Sequence, residues 1–249
     1  QFSLPTTFNL ANNSIALYTP PPPSAVAYTQ NFDAALGTSG TTLPLGWAIK
    51  DIAGDAATFN TTVHPTAAHV AAATANGSGL VVWDSTTSVP ANCTSAANVG
   101  AGTSGNRALG TSPASVAARV VELTLTNDSA TPITGGTLKY DVADFGTGAT
   151  SAEENPGYTL FYSVTGGTTA ADWIPVTVPV IGANLTANIT FTSALAAGGT
   201  LYFRWVDDNL SYNDHVYTLD NVSFNAFAVP EPASLGLLGL ALTLLLRRR

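Results

Sequence analysis

The sequence predicts an all-β protein: an antiparallel two-sheet sandwich of jelly-roll type, followed by a short C-terminal hydrophobic helix. Three observations carry that expectation. Short runs of β-type sequence recur from Ala25 onward, turn-forming residues bound each run, and no convincing amphipathic helix separates one run from the next. Many strands without crossover helices leave antiparallel architectures, a sandwich first and an up-and-down barrel second. The spacing is too irregular for a propeller or solenoid, and no internal repeat is present.

In chain order, residues 1–25 form an N-terminal segment whose end, TPPPPS at 19–24, is a stiff polyproline stretch. It reads either as a spacer or as the lead-in to the first strand. The sandwich is expected over 26–228. In ARVVELTLTND, Val121, Leu123 and Leu125 share one face, and Glu122, Thr124 and Thr126 the other. GGTLKYDVADF, GYTLFYSV, DWIPVTVPV, LTANITF, TLYFRWVDD and HVYTLDNVSF repeat the theme, with turns at Asn127-Asp128-Ser129, Gly166-Gly167 and Gly198-Gly199 between them. The best helical candidate is AAHVAAATA at 67–75, favoured by its alanines but lacking an apolar stripe. Residues 229–249 form the third segment.

Composition narrows the function classes. Only 10% of residues are charged, while 35 Thr and 18 Ser give a hydroxyl-rich surface suited to an exported β protein. At 45% hydrophobic residues the chain is no disordered polar tract. Net charge is −8, and it is more negative still without the three terminal arginines. Such a surface repels phosphate backbones, so no nucleic-acid partner is expected; oxygen-rich acidity favours hard cations such as calcium instead. The single cysteine, Cys93, allows no intrachain disulfide. There is no Met, so Gln1 is not read as a translation start and a signal peptide is expected to precede it.

The last segment reads VPEPASLGLLGLALTLLLRRR. Residues 233–246 are uncharged and mostly apolar, only ~21 Å as a helix against a ~30 Å hydrocarbon core, so spanning needs local thinning or snorkelling arginines. Arg247, Arg248 and Arg249 belong on the cytoplasmic side, which leaves the body outside. With Pro230, Glu231 and Pro232 ahead of the apolar run, the segment resembles the PEP-CTERM sorting signal of bacterial exported proteins. That resemblance implies recognition by an exosortase-type membrane enzyme, with the triplet as recognition element and the arginines as retention cluster. The body, in Asn31-Phe32-Asp33, Leu45-Gly46-Trp47, Arg204-Trp205 and Leu219-Asp220-Asn221-Val222, resembles jelly-roll modules of bacterial surface proteins. Related sandwiches include carbohydrate-binding modules.

Residues that could carry chemistry are few. Apolar positions in LDNVSF break strict alternation at Asp220-Asn221, where a bulge would restore phase and re-aim a carboxylate. If first and last strands adjoin, Asp33 and Asp220, with Asp207 and Asp208 nearby in sequence, supply oxygens for one structural calcium. The competing reading is a solvated acidic loop paired with Arg204. Of the four tryptophans, Trp205 alternates with core positions, and Trp83 is the best placed for sugar stacking, although a core position is the favoured reading there too. His64, His69 and His215 lack metal-site spacing, and there is no nucleophile elbow. Nine Asn-x-Ser/Thr triplets, against roughly four expected by chance, mark exposed turns. The reading is an exported, non-catalytic envelope or matrix protein, with a carbohydrate-binding module acting on exopolysaccharide as the alternative and a hydrolase a distant third.

Overall fold

A computed structural model describes residues 20, 22–60, 62–83, 96–100, 105–147, 155–209 and 215–227. The described strands are β1 (Ala27–Gln30), β2 (Trp47–Ile52), β3 (Thr74–Ala75), β4 (Val81–Trp83), β5 (Ala96–Gly100), β6 (Arg107–Thr111), β7 (Ala118–Thr126), β8 (Ile133–Thr147), β9 (Thr159–Ser163), β10 (Ile174–Val176), β11 (Gly182–Leu195), β12 (Thr200–Asp208) and β13 (His215–Ala226). Two short helices, α1 (Asp33–Leu36) and α2 (Ala67–Ala71), interrupt them. Of the helix expected over 67–75, only α2 forms; Thr74 and Ala75 instead pair with β2 as β3.

The strands make two sheets. One runs β11-β8-β13-β6-β5-β4 with β1 also on β13; the other runs β10-β9-β12-β7-β2-β3. All pairings within them are antiparallel except β4 with β5. Their inner faces share one core, centred on Trp205, which stacks on Trp47 at 5.8 Å and takes the edge of Tyr140 at 5.6 Å. Such aromatic pairs add about 0.5–1.5 kcal/mol each beyond area burial. Trp205 is fully buried, as its alternation with Leu201 and Phe203 requires.

The end of the polyproline stretch is the lead-in to the fold. Ser24 bridges to Thr126 of β7, and the chain then crosses to the other sheet, where Ala27 to Gln30 lie against Asn225 to Val222 of β13. Gly46 is what lets Pro23 approach: its φ is +86°, and a Cβ there would meet Pro23 Cδ at 2.6 Å and Thr124 O at 2.8 Å.

The second sheet is buried on both faces, so β7 does not alternate between core and solvent as expected. A second apolar cluster of Ile52, Phe59, Val70, Val120, Phe161, Trp173 and Val206 covers its outer side beneath α2. Glu122 on β7 is therefore buried (6% exposed), held by Arg204 Nε at 2.6 Å with Lys50 at 3.7 Å. The same guanidinium lies 3.9 Å over the Trp173 ring and donates to the carbonyl of Val70, tying α2 to the sheet. Removing one partner of a buried pair strands the other charge, at about 3–5 kcal/mol. Arg204→Met should lower the melting temperature by roughly 6–20 °C at ~2–4 °C per kcal/mol, measured by circular dichroism. A melt unchanged from the parent would show that Lys50 alone satisfies Glu122.

Candidate functional site

The richest polar junction lies where β13 changes partner. On one edge β13 pairs with β6 through Tyr217 to Leu219, then with β1 from Val222 onward. On its other edge it follows β8, with a register break between Asp220 and Ser223. Asn221 sits there at φ +49°, so the bulge read from the broken alternation is present at Asp220-Asn221.

A second bulge faces it across β8. The β11 register breaks between Gly182 and Leu185, with Asn184 at φ +53°. One carboxylate on the strand between them serves both: Asp141 Oδ1 accepts from Asn184 N at 2.5 Å, and Oδ2 from Asn221 Nδ2 at 2.7 Å. Asn tolerates the left-handed backbone that each bulge needs. Nothing in KYDVAD distinguishes Asp141 from any outward polar residue, which is why periodicity passes over it.

Asp220 stands directly opposite Asp141 in the β8–β13 register. Its carboxyl is pushed up to about 6, first by burial, against a hydrogen bond from Asn221 N, with further repulsion from Asp33 and Asp141. Asp33 itself accepts from the backbone N of Arg107 at 2.7 Å and from Asn31 Nδ2 at 3.0 Å, joining α1 to β6. The adjacency of first and last strands thus brings Asp33 near Asp220. Beside them the outer face holds a groove of about 380 Å³ lined by Asp141, Ala143, Phe145, Thr218 and Asp220.

Asp207 and Asp208 do not join this junction. Asp207 is completely buried between the sheets and accepts from Thr111 Oγ1 at 2.5 Å; Tyr158 OH shares that hydroxyl at 2.7 Å. Thr111 ends β6, four residues beyond Arg107, or ~13 Å along the strand. Oxygens around one calcium lie at 2.3–2.6 Å from the ion, so Asp207 cannot share a centre with Asp33. Asp208, also buried, accepts from Asn155 Nδ2 at 3.0 Å. The solvated-loop reading fails for this pair as well, because Arg204 is engaged with Glu122. Among the described residues, no three His, Cys, Asp or Glu side chains gather as a metal site.

Trp83 is not an exposed platform. It is 8% exposed and packs edge-on against Phe145 at 5.4 Å, with Ala97, Val99 and Val216 around it. Trp47 and Trp173 are buried too. His69 caps its own helix at Thr66, His215 bonds Asp144 at 2.9 Å, and His64 is exposed. Cys93 lies outside the described residues.

Three of the Asn-x-Ser/Thr triplets have a shared structural cause. Asn60 Oδ1 accepts from Thr62 N, Asn76 Oδ1 from Ser78 N, and Asn127 Oδ1 from Ser129 N, each closing a local side-chain turn. The triplets are not all exposed turns: Asn127 is fully buried, and Asn184 and Asn188 lie on β11.

The chain leaves the sandwich from the end of β13. Ala226 N donates to Val26 O, and Phe227 N donates to Gly135 O at 2.9 Å, three residues before Pro230. Residues 228–249 match the family model described as the PEP-CTERM protein-sorting motif. The chain carries a PEP-CTERM sorting motif. Pro230, Glu231, Pro232, Arg247, Arg248 and Arg249 all fall inside the match and outside the described residues, as does the expected C-terminal helix. A PEP-CTERM signal implies an exported protein handled by an exosortase, with a membrane-anchored precursor. Among the described residues no helix is long and apolar enough to cross a membrane. No curated protein matches the chain. Among solved structures, the K2 cleaved adhesin domain of Lys-gingipain is similar at a TM-score of 0.32 and 13% identity, over 80% of this chain and 97% of that one. A likeness that distant transfers neither topology nor activity.

The junction makes a pH prediction. A carboxyl raised from ~3.9 in the unfolded chain to about 6 in the fold stabilises fully below the lower value, and that contribution is lost as pH rises through the upper. Asp220→Asn keeps an acceptor for Asn221 N and removes the charge. It should raise the melting temperature at pH 7.5 and change it little at pH 4.5. Equal shifts at both pH values would rule out charge relief, and a calcium-dependent rise lost in Asp220→Ala would restore a cation at this junction.

Proposed function

We propose that this is a non-catalytic structural protein of the bacterial cell envelope or extracellular matrix, delivered there by its PEP-CTERM signal. The motif match over 228–249 carries the reading. The body suits a passive role. Its ionisable side chains in the core are spent on internal partners, Glu122 on Arg204, Arg119 on Asp51, and Asp207 on Thr111. A body of this design, with first and last strands paired, is read as a jelly-roll sandwich. The sugar-binding alternative loses its chosen platform with Trp83 buried, so it is not favoured.

The precursor is anchored by the apolar run ahead of Arg247, with the sandwich on the outer side, and the exosortase acts on the stretch beginning at Pro230. Deleting residues 229–249 should release the body in soluble form, because the described body offers no other membrane-crossing helix. Changing Pro230, Glu231 and Pro232 to Ala together should leave an unprocessed precursor in the membrane fraction. Fractionation and intact-mass measurement of the two variants decide it. A truncated protein that stays in the membrane pellet, or a triple variant with the parent's mature mass, would overturn the sorting reading.

A further inference from the structure

We propose that β11 is a docking edge for a second copy of this chain, the two β11 strands pairing antiparallel so that two seven-stranded sheets become one. The five described strands that end the sheets differ sharply. β1, β3, β4 and β10 are two to four residues long, and β10 contains Pro175. Short strands and proline are the common means of blunting a free edge. β11 runs 14 residues and contains no Lys, Arg, Asp, Glu or Pro. Among the described residues it pairs with β8 alone; on its other edge no strand is paired, and the Thr190 carbonyl accepts from Tyr162 OH at 3.1 Å. The register breaks lie near its two ends and leave residues 185–190 in regular pairing, ~20 Å of edge.

Charge and pattern together identify the occupant. Two copies of a chain with net charge −8 repel one another, and the uncharged strip from Val180 to Leu195 is where they can approach with least opposition. A strand added here must extend the buried row Leu185, Ala187, Ile189 and Phe191 on one face, and the exposed row Thr186, Asn188 and Thr190 on the other. β11 itself is such a strand. A two-fold axis through Asn188, normal to the sheet, sets Leu185 opposite Phe191, Ala187 opposite Ile189 and Thr186 opposite Thr190, each pair on matching faces. Val180 and Ile181, 37% and 38% exposed at the entry to the strand, then meet the end of the other copy's β11 near Leu195. Because the same edge is used by both copies, the assembly closes at a dimer and does not propagate into a fibre.

Full-length protein in detergent micelles, with Cys93→Ser as background, tests this. Opposed residues in antiparallel strands have Cα atoms ~4.5–5.5 Å apart, within reach of a disulfide. Asn188→Cys should cross-link to a dimer under mild oxidation about tenfold or more faster than Ala57→Cys in the exposed turn after β2, because pairing raises the local thiol concentration. Equal rates would overturn the proposal. In sedimentation, the parent should be a dimer and Asn188→Lys a monomer with an intact fold, since that side chain is exposed and bonded to the surface hydroxyl of Thr137. An Asn188→Lys variant that remains dimeric would show that the apolar tail joins the copies; a monomeric parent would overturn the edge outright.

Discussion

The architecture depends on β13 serving three neighbours. It holds β8 along one edge, while its other edge must pass from β6 to β1 within two residues. A flat strand cannot make that exchange and keep Leu219 and Val222 both in the core, because side chains alternate with period two. The extra residue at Asp220-Asn221 absorbs the phase change. Asp141 then braces this bulge and the one at Asn184 with a single carboxylate. Once β1 is seated, Phe32 is carried to full burial against Trp47, 5.0 Å away, and Asp33 reaches the start of β6. The two ends of the described body also meet there, since Ala226 bonds Val26. The sorting segment therefore departs from a strand zipped on both sides, not from a loose tether.

Polar groups in this interior serve architecture. Arg204 collects Glu122, the Trp173 face and the Val70 carbonyl, fastening the α2 layer over the second sheet. Between the sheets, Tyr158 links the Thr111 hydroxyl to the Tyr217 carbonyl, and Asp207 accepts from that same hydroxyl. A buried network of this kind is costly when half made and specifying when complete. It explains how so acidic a chain can place Asp207 and Asp208 out of water. Asp220 is the exception: it remains partly in contact with solvent and near two other acids, and it titrates closer to neutrality than an ordinary carboxyl.

Much of this could be read from local sequence where the cause was itself local. β7, β8, β12 and β13 stand close to where their runs of alternation put them. The bulge at Asp220-Asn221 was visible because a phase break needs only six residues to see. Other features escaped for physical reasons. Alternation places Glu122 only on the face opposite Val121, because the layer that covers that face, Phe59 and Val70 among it, comes from far upstream. Asp141 looked ordinary because its partners are bulges on two separate strands. Trp83, at the end of its run, suited the core or a loop alike, and what covers it, Phe145 and Val216, comes from β8 and β13. The abundance of Asn-x-Ser/Thr pointed to turns for a sound reason, since the carboxamide closes the turn itself, but burial of Asn127 depends on the carbonyls of Leu195 and Ala196.

By itself the sequence determined the destination of this protein and its fold class. A sorting signal is a short linear code read by order and spacing, and β alternation is a two-residue period, so neither needs distant parts of the chain. Tertiary structure alone decided which acids meet and which sheet edge stays long. Those outcomes depend on which strands become neighbours, and residues as far apart as Asp33, Asp141 and Asp220 acquire a common environment only when β1, β8 and β13 close around one junction.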